Sequence, residues 1–318
     1  MSDEPGADEQ YCSSCGEVVK KKAEICPNCG VRQKSANVNR SARSGVDIEK
    51  SIRNGFDRLT ETTGALLVAV FFVISLVSTV AAQSQAARTL ERFGAFDQFP
   101  SEFEGTFVET FAGGGPLAFD IPSSLITLMN LGSSVAYIVA AVVAFRVFAS
   151  DARDKIPSET YSGLLMPTIN GIIAGIVFVV LVVIGLILLV IPGIYLMVAL
   201  YFFLIFIALE DDSFIDALQS SWGLTKGRRL SVFLFFVGLV LVQLLFAIVG
   251  GIAGFFLIGV SPELSAVMDV AIGAAFTVFS LAALYEAYAQ MREGGGPTAS
   301  TGIGTGESPA GKSDTRAR

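Results

Sequence analysis

The chain has 318 residues, 52% of them apolar and 16% charged, with a net charge of −7 and no histidine. A soluble domain carries about a quarter charged residues, so the deficit excludes an ordinary soluble class, and the acidic balance argues against a nucleic-acid partner, which asks for a basic patch. Without histidine there is no Ser-His-Asp or Cys-His nucleophile, no histidine general base and no His-ligated catalytic metal, which points away from an enzyme.

Residues 1–10 are polar and acidic and read as disordered. Residues 11–33 hold all four cysteines, as Cys12-x2-Cys15 and Cys26-x2-Cys29, with Gly16 and Gly30 directly after each pair. Two residues between cysteines let one tight turn aim both sulfurs at a metal, and the glycine lets the backbone curl toward them. Four thiolates suit a tetrahedral Zn2+ and close its coordination sphere, so the expected cofactor is structural rather than catalytic zinc. Lys20, Lys21, Lys22, Arg32 and Lys34 offset the local negative charge. A module this short buries little, so ligation supplies its folding free energy, on the order of 10–16 kcal/mol in comparable peptides. Disulfides and an iron–sulfur site are the competing readings; a reducing compartment and the two-residue spacing disfavour the first. The pattern YCxxCGxxV…CPxCG resembles the short zinc-ribbon family at the N-termini of many prokaryotic membrane proteins. That resemblance implies an interaction or regulatory appendage with no enzymatic activity.

Residues 34–46 are rich in Ser, Asn and Arg without periodicity and read as a flexible linker. From Asp47, Ile48, Ile52, Phe56 and Leu59 recur at helical spacing with charges on the other faces. This predicts an amphipathic helix lying on the membrane surface, with packing on another protein element as the alternative. Residues 47–290 then read as an all-α bundle of about six transmembrane helices, near 64–83, 125–148, 170–190, 194–209, 230–260 and 264–290. Crossing the hydrocarbon takes roughly 20 helical residues.

The loop 84–123 carries Phe93, Phe96, Phe99, Phe103, Phe107 and Phe111 at three- and four-residue steps. That stripe could grip the outer leaflet, a lipid or a partner, or pack over the span ends. Pro192–Gly193 separates the third and fourth spans, read as two full crossings, with a re-entrant pair as the alternative. The fifth span holds Gly250, Gly251 and Gly254, where it can bend or pack closely. Asp269 and Glu286 lie in the sixth; intramembrane carboxylates are functional candidates, with solvation at each interface the competing reading. Residues 291–318 are a Gly/Ser/Thr/Pro tail too poor in apolar residues to fold.

Between the fourth and fifth spans, Glu210-Asp211-Asp212 is placed to cap a helix start. Phe214, Ile215, Leu218 and Trp222 then make one apolar face of a short surface helix, and Gly227 suits the residue after its end. This stretch resembles the membrane domain of bacterial glycerophosphoryl diester phosphodiesterases and related archaeal families. Matching positions include Pro192, Gly193, Tyr195, Glu210, Asp211, Ala217, Leu218, Ser221, Trp222, Leu224, Thr225 and Gly227. The resemblance implies an architecture and not phosphodiesterase activity, because the catalytic domain of those enzymes depends on histidines and metal-binding carboxylates.

In a six-span arrangement, 20 of the 22 Lys and Arg residues fall on one side, the exceptions being Arg88 and Arg92. The positive-inside rule makes that side cytoplasmic, which predicts a multi-pass plasma-membrane protein with both termini inside. The expectation is a non-enzymatic membrane protein whose zinc ribbon meets a cytoplasmic protein partner or regulates the body. The alternative is a transporter or lipid-handling bundle. Neither substrate nor oligomeric state is readable.

Overall fold

In the computed structural model of the chain, residues 9–11, 15, 17–20, 27–29, 45–92 and 115–293 are described. They divide between two compact bodies, one drawn from residues 1–43 and 293–318 and the other spanning Ser44–Arg292. In the first body, β1 (Glu9–Tyr11) and β2 (Val18–Lys20) pair antiparallel, with Tyr11 opposite Val18 and Glu9 opposite Lys20. Val19 is the buried member of β2. The order expected to begin at Tyr11 therefore begins earlier, inside the segment read as disordered.

The second body opens with α1 (Ile48–Thr60), whose N-cap is Asp47; its carboxylate accepts from the Lys50 amide at 3.0 Å. Capping satisfies an otherwise orphaned donor of the first turn. Glu61 breaks the helix for one residue, and α2 (Thr62–Arg92) follows. Next come α3 (Ser123–Ala149), a 3-10 turn at Ser158–Tyr161, α4 (Leu165–Leu188), α5 (Val190–Leu200), α6 (Phe203–Leu209), α7 (Phe214–Thr225), α8 (Arg229–Ile258) and α9 (Pro262–Glu293). Six stretches are long and apolar enough to cross a membrane: Thr62–Leu90, Ser123–Ala149, Leu165–Leu188, Val190–Leu209, Arg229–Ile258 and Pro262–Glu293. This is the architecture of a multi-pass membrane protein.

Large aliphatic side chains point outward along these helices; Ile187, Leu189 and Ile191 are 79%, 68% and 80% exposed. In lipid such exposure costs nothing, because the tails are as apolar as leucine. The interior combines aromatic, aliphatic and small side chains. Phe145 and Phe148 of α3, Phe202 and Phe206 around α6, Phe235 of α8, and Phe279, Ala283 and Ala287 of α9 form one buried cluster.

Several elements depart from the sequence reading. The linker is not free to its end: Val46 is buried and its carbonyl accepts from Ser231 of α8. The amphipathic helix α1 packs on the protein, Gly55 against Phe279 and Ala283 and Ile48 and Ile52 against Gly238. Its apolar face finds partners in α8 and α9, so the competing reading prevails over a purely surface helix. Helix α9 continues through Met291–Glu293, past the expected start of the tail. The Phe stripe and the remainder of both terminal segments lie outside the described residues.

The third break differs as well. Helix α4 ends at Leu189, whose extended backbone (φ −160°, ψ 138°) starts α5, so Pro192 falls within the first turn of α5 rather than between two helices. A proline there lacks an amide that has no intrahelical partner anyway, whereas a continuous helix would drive its ring into the Leu188 carbonyl. Gly185 and Gly193 meet across the hairpin. A Cβ on Gly193 would stand 2.6 Å from the Leu186 amide nitrogen, and one on Gly185 would stand 2.8 Å from Gly193 Cα. The expected single fourth span is two pieces, α5 and α6, parted at Tyr201–Phe202.

Candidate functional site

Of the expected metal ligands, Cys15 and Cys29 are described, each exposed within a turn, while Cys12 and Cys26 lie outside the described residues. The β1–β2 pairing closes around the first knuckle: Tyr11, directly before Cys12, pairs with Val18, three residues beyond Cys15. The donor chemistry of four cysteines suits zinc.

In the larger body, the chain's alternation gathers the start of α2 and the ends of α3, α6 and α9 in one region, where most of its polar side chains interlock. Arg146, in the last turn of α3, donates from Nε to the Ala208 carbonyl (2.9 Å), from Nη1 to the Ser162 carbonyl (2.6 Å), and pairs through Nη2 with Asp211 (3.2 Å). Asp211 has a left-handed backbone, φ +52°, which aspartate tolerates better than most side chains. Glu210 accepts from the Tyr288 hydroxyl at 2.6 Å and pairs with Arg292 at 3.0 Å, tying α6 to α9. Arg58 of α1 bonds Asp151 after α3, and Glu61 pairs with Arg153 at 3.1 Å. The Glu-Asp-Asp run therefore clasps spans together instead of capping α7, whose N-cap is Ser213, accepting from the Asp216 amide. Asp212 accepts from Ser220 at 3.0 Å. Burial holds its carboxyl above the usual aspartate value, with Glu210 and Asp216 adding to the rise and Ser220 and Arg292 opposing it.

The matched positions on α7 have a definite task. Ser221 and Thr225 stand one turn apart on a fully buried face and meet the break between α5 and α6. The Phe202 amide donates to Ser221 Oγ, and the Ala199 carbonyl accepts from both Ser221 and Thr225 hydroxyls, all at 3.1 Å. These are the backbone groups that the missing helical turn would orphan, and an apolar interior offers no water in their place. Sequence reading recorded Ser221 and Thr225 only as matches; a hydroxyl pair at i, i+4 on an apolar helix was the available signal.

Trp222, on the neighbouring face of α7, meets Tyr195 of α5 edge to face at 5.6 Å. The Arg229 guanidinium lies 4.3 Å from the centroids of both rings, a doubled cation–π contact. Tyr195 and Trp222 stay about 40% exposed, at 40% and 38%. Gly227 has φ +81°, directly after the Lys226 C-cap of α7, which is where a left-handed glycine ends a helix.

The two intramembrane candidates are not brought together. Asp269 lies in the first third of α9, its carboxylate over Gly250 and Gly254 of α8. Glu286 lies in the last turns and accepts from Asn54 of α1 at 3.0 Å. Seventeen residues of helix separate them, about 25 Å.

A family model described as a domain of unknown function (DUF7847) matches residues 46–291. That match coincides with the larger body and leaves the four cysteines outside it. No curated protein and no solved structure matches the chain.

Proposed function

We propose, for a chain that belongs to the DUF7847 family, that its six-span body is a membrane anchor and scaffold and that the cysteine segment is its working head. In this reading Cys12, Cys15, Cys26 and Cys29 hold one structural Zn2+, and the folded head contacts a cytoplasmic protein or regulates the body. The protein is not an enzyme. It sits in the plasma membrane with both termini inside. The observation that carries the reading is the β1–β2 pairing around the first C-x2-C turn. The zinc supplies folding free energy that so short a segment lacks.

The polar chemistry of the body supports a scaffold. Glu210, Asp211, Asp212 and Glu286 each have a partner on another element or in the adjoining turn. Carboxylates held this way tie helices together. In a six-span arrangement twenty of the 22 basic residues would fall on one side, which supports the inward orientation.

Two measurements test the proposal. Purified full-length protein should carry one zinc per chain by elemental analysis, and Cys26→Ser should lose it. Removal of residues 1–43, which spares Gly45 and Val46, should leave membrane insertion and thermal stability of the body intact while abolishing partner co-purification. Zinc-free wild-type protein with a protease-resistant head would overturn the reading.

A further inference from the structure

Helices α2 and α3 do not close on each other along their whole length. Halfway along both lies a cavity of about 520 Å3 lined by Ser75, Ser78, Thr79, Ser133, Ser134 and Tyr137, with an isoleucine at either side. Ser75, Ser78 and Thr79 are spaced i, i+3, i+4 and so share one face of α2. They stand near the centre of the Thr62–Leu90 stretch, and Ser133–Tyr137 near the centre of Ser123–Ala149. From Thr62 to Ser75 is about 20 Å of helix, which puts the hydroxyls near the middle of a bilayer if these two helices are spans.

Serines between membrane helices usually draw two backbones together and bond across the gap. Here the gap stays open. Ser134 satisfies its hydroxyl within its own helix, on the Asn130 carbonyl at 2.8 Å. Ser133 does not: it is 8% exposed, its Oγ is fully covered, and it has no hydrogen-bond partner. A buried hydroxyl left unmatched costs about 1–3 kcal/mol, and in hydrocarbon no water relieves it. Tyr137 remains 41% exposed with its ring edge-on to Phe71 at 5.3 Å, so the cavity opens sideways, toward lipid.

The lining restricts the occupant. Among the described residues no Asp, Glu, Lys or Arg borders the cavity, so these residues offer no counter-charge to a phosphate and no carboxylate cage to a cation. Its volume matches the 300–1,000 Å3 of ordinary ligand pockets. We propose that the cavity binds the uncharged, hydrogen-bonding head of a membrane-soluble lipid, a carbonyl- or hydroxyl-bearing molecule such as a quinone or a diacylglycerol, with the hydroxyls of Ser75, Ser78, Thr79 and Tyr137 as its donors and Ser133 behind them in the wall. This binding is independent of the zinc head.

Full-length protein is reconstituted in phosphatidylglycerol vesicles with either a photoactivatable diacylglycerol or a photoactivatable quinone, which separates the two sources. Adducts should map to residues 74–79 and 133–138. Unlabelled parent lipid should compete, and added phosphatidylglycerol should not. Ser133→Leu, which fills the space, should cut labelling at least fivefold. Ser78→Val, at a partly buried position, should lower it several-fold in a protein of unchanged unfolding temperature. Adducts scattered evenly over lipid-facing positions such as Leu244 and Leu245, or labelling indifferent to both variants, would overturn the proposal. So would a benzoylphenylalanine in place of Ser134 that captures a second chain and no lipid, which would assign the cavity to a neighbouring helix.

Discussion

Ser221 shows how one hydroxyl can decide whether a broken helix is tolerable. It accepts from one orphaned backbone group and donates to another, both buried. Ser221→Ala should destabilise the body by about 1–3 kcal/mol, read as a lower unfolding temperature in detergent. Ser220→Ala, one residue away and bonded only at the rim to Asp212, should cost much less. Arg146 is the second such residue. Its guanidinium reaches three carbonyls and a carboxylate, a geometry that the compact ammonium of lysine cannot reproduce. Arg146→Lys should therefore behave like Arg146→Ala in the same melts. Asp212 gives a pH signature. Its carboxyl titrates above the ordinary aspartate value of 3.8, so the fold binds that proton more tightly than the unfolded chain does. The associated stability is present below 3.8 and is lost as pH rises through the folded value. Asp212→Asn should flatten that part of the stability-versus-pH curve, because the neutral amide keeps near neutrality the stability that the wild-type carboxylate loses there. Glu210, Asp211 and Ser221 could be picked out from the sequence as special. Their work could not, because the partners Tyr288, Arg146 and Phe202 stand 78, 65 and 19 positions away.

Helices were the easiest part to read, since hydrocarbon length and uniform apolarity are strong signals in any chain that crosses lipid. Breaks were harder. Pro192–Gly193 announces a reversal, yet the chain reverses at Leu189, because proline is comfortable in a first turn and the tight helix contact belongs to Gly185 and Gly193. Gly193→Ala should push α4 and α5 apart and cost about 1–3 kcal/mol, the usual penalty for overpacking. Ala at Gly175, where a Cβ meets nothing within 4 Å, should be neutral in the same unfolding assay. The division of the fourth span at Tyr201–Phe202 has no proline and no glycine to mark it. Its only trace is the Ser221/Thr225 pair on another helix, a long-range complementarity that periodicity does not register. For α1 the amphipathic pattern is plain, but such a face fits lipid and protein alike, and it is the close approach of Gly55 to Phe279 and Ala283, and of Ile48 and Ile52 to Gly238, that distinguishes them.

Taken together, the spans, their clasped polar end and the cysteine hairpin describe a membrane body with an appended head. The family match covers residues 46–291 and leaves the cysteine segment outside it. What the chain displays to each side of the membrane follows from one choice of orientation, and that choice sets where a zinc-binding head could act. It can be read directly with a membrane-impermeant maleimide on intact cells, using Phe119→Cys in the segment before α3 and Lys155→Cys in the segment after it, both at exposed positions. The account predicts that Phe119→Cys labels in intact cells, while Lys155→Cys and the four native cysteines label only after permeabilisation. Labelling of Lys155→Cys or of the native cysteines in intact cells, with Phe119→Cys protected, would contradict it.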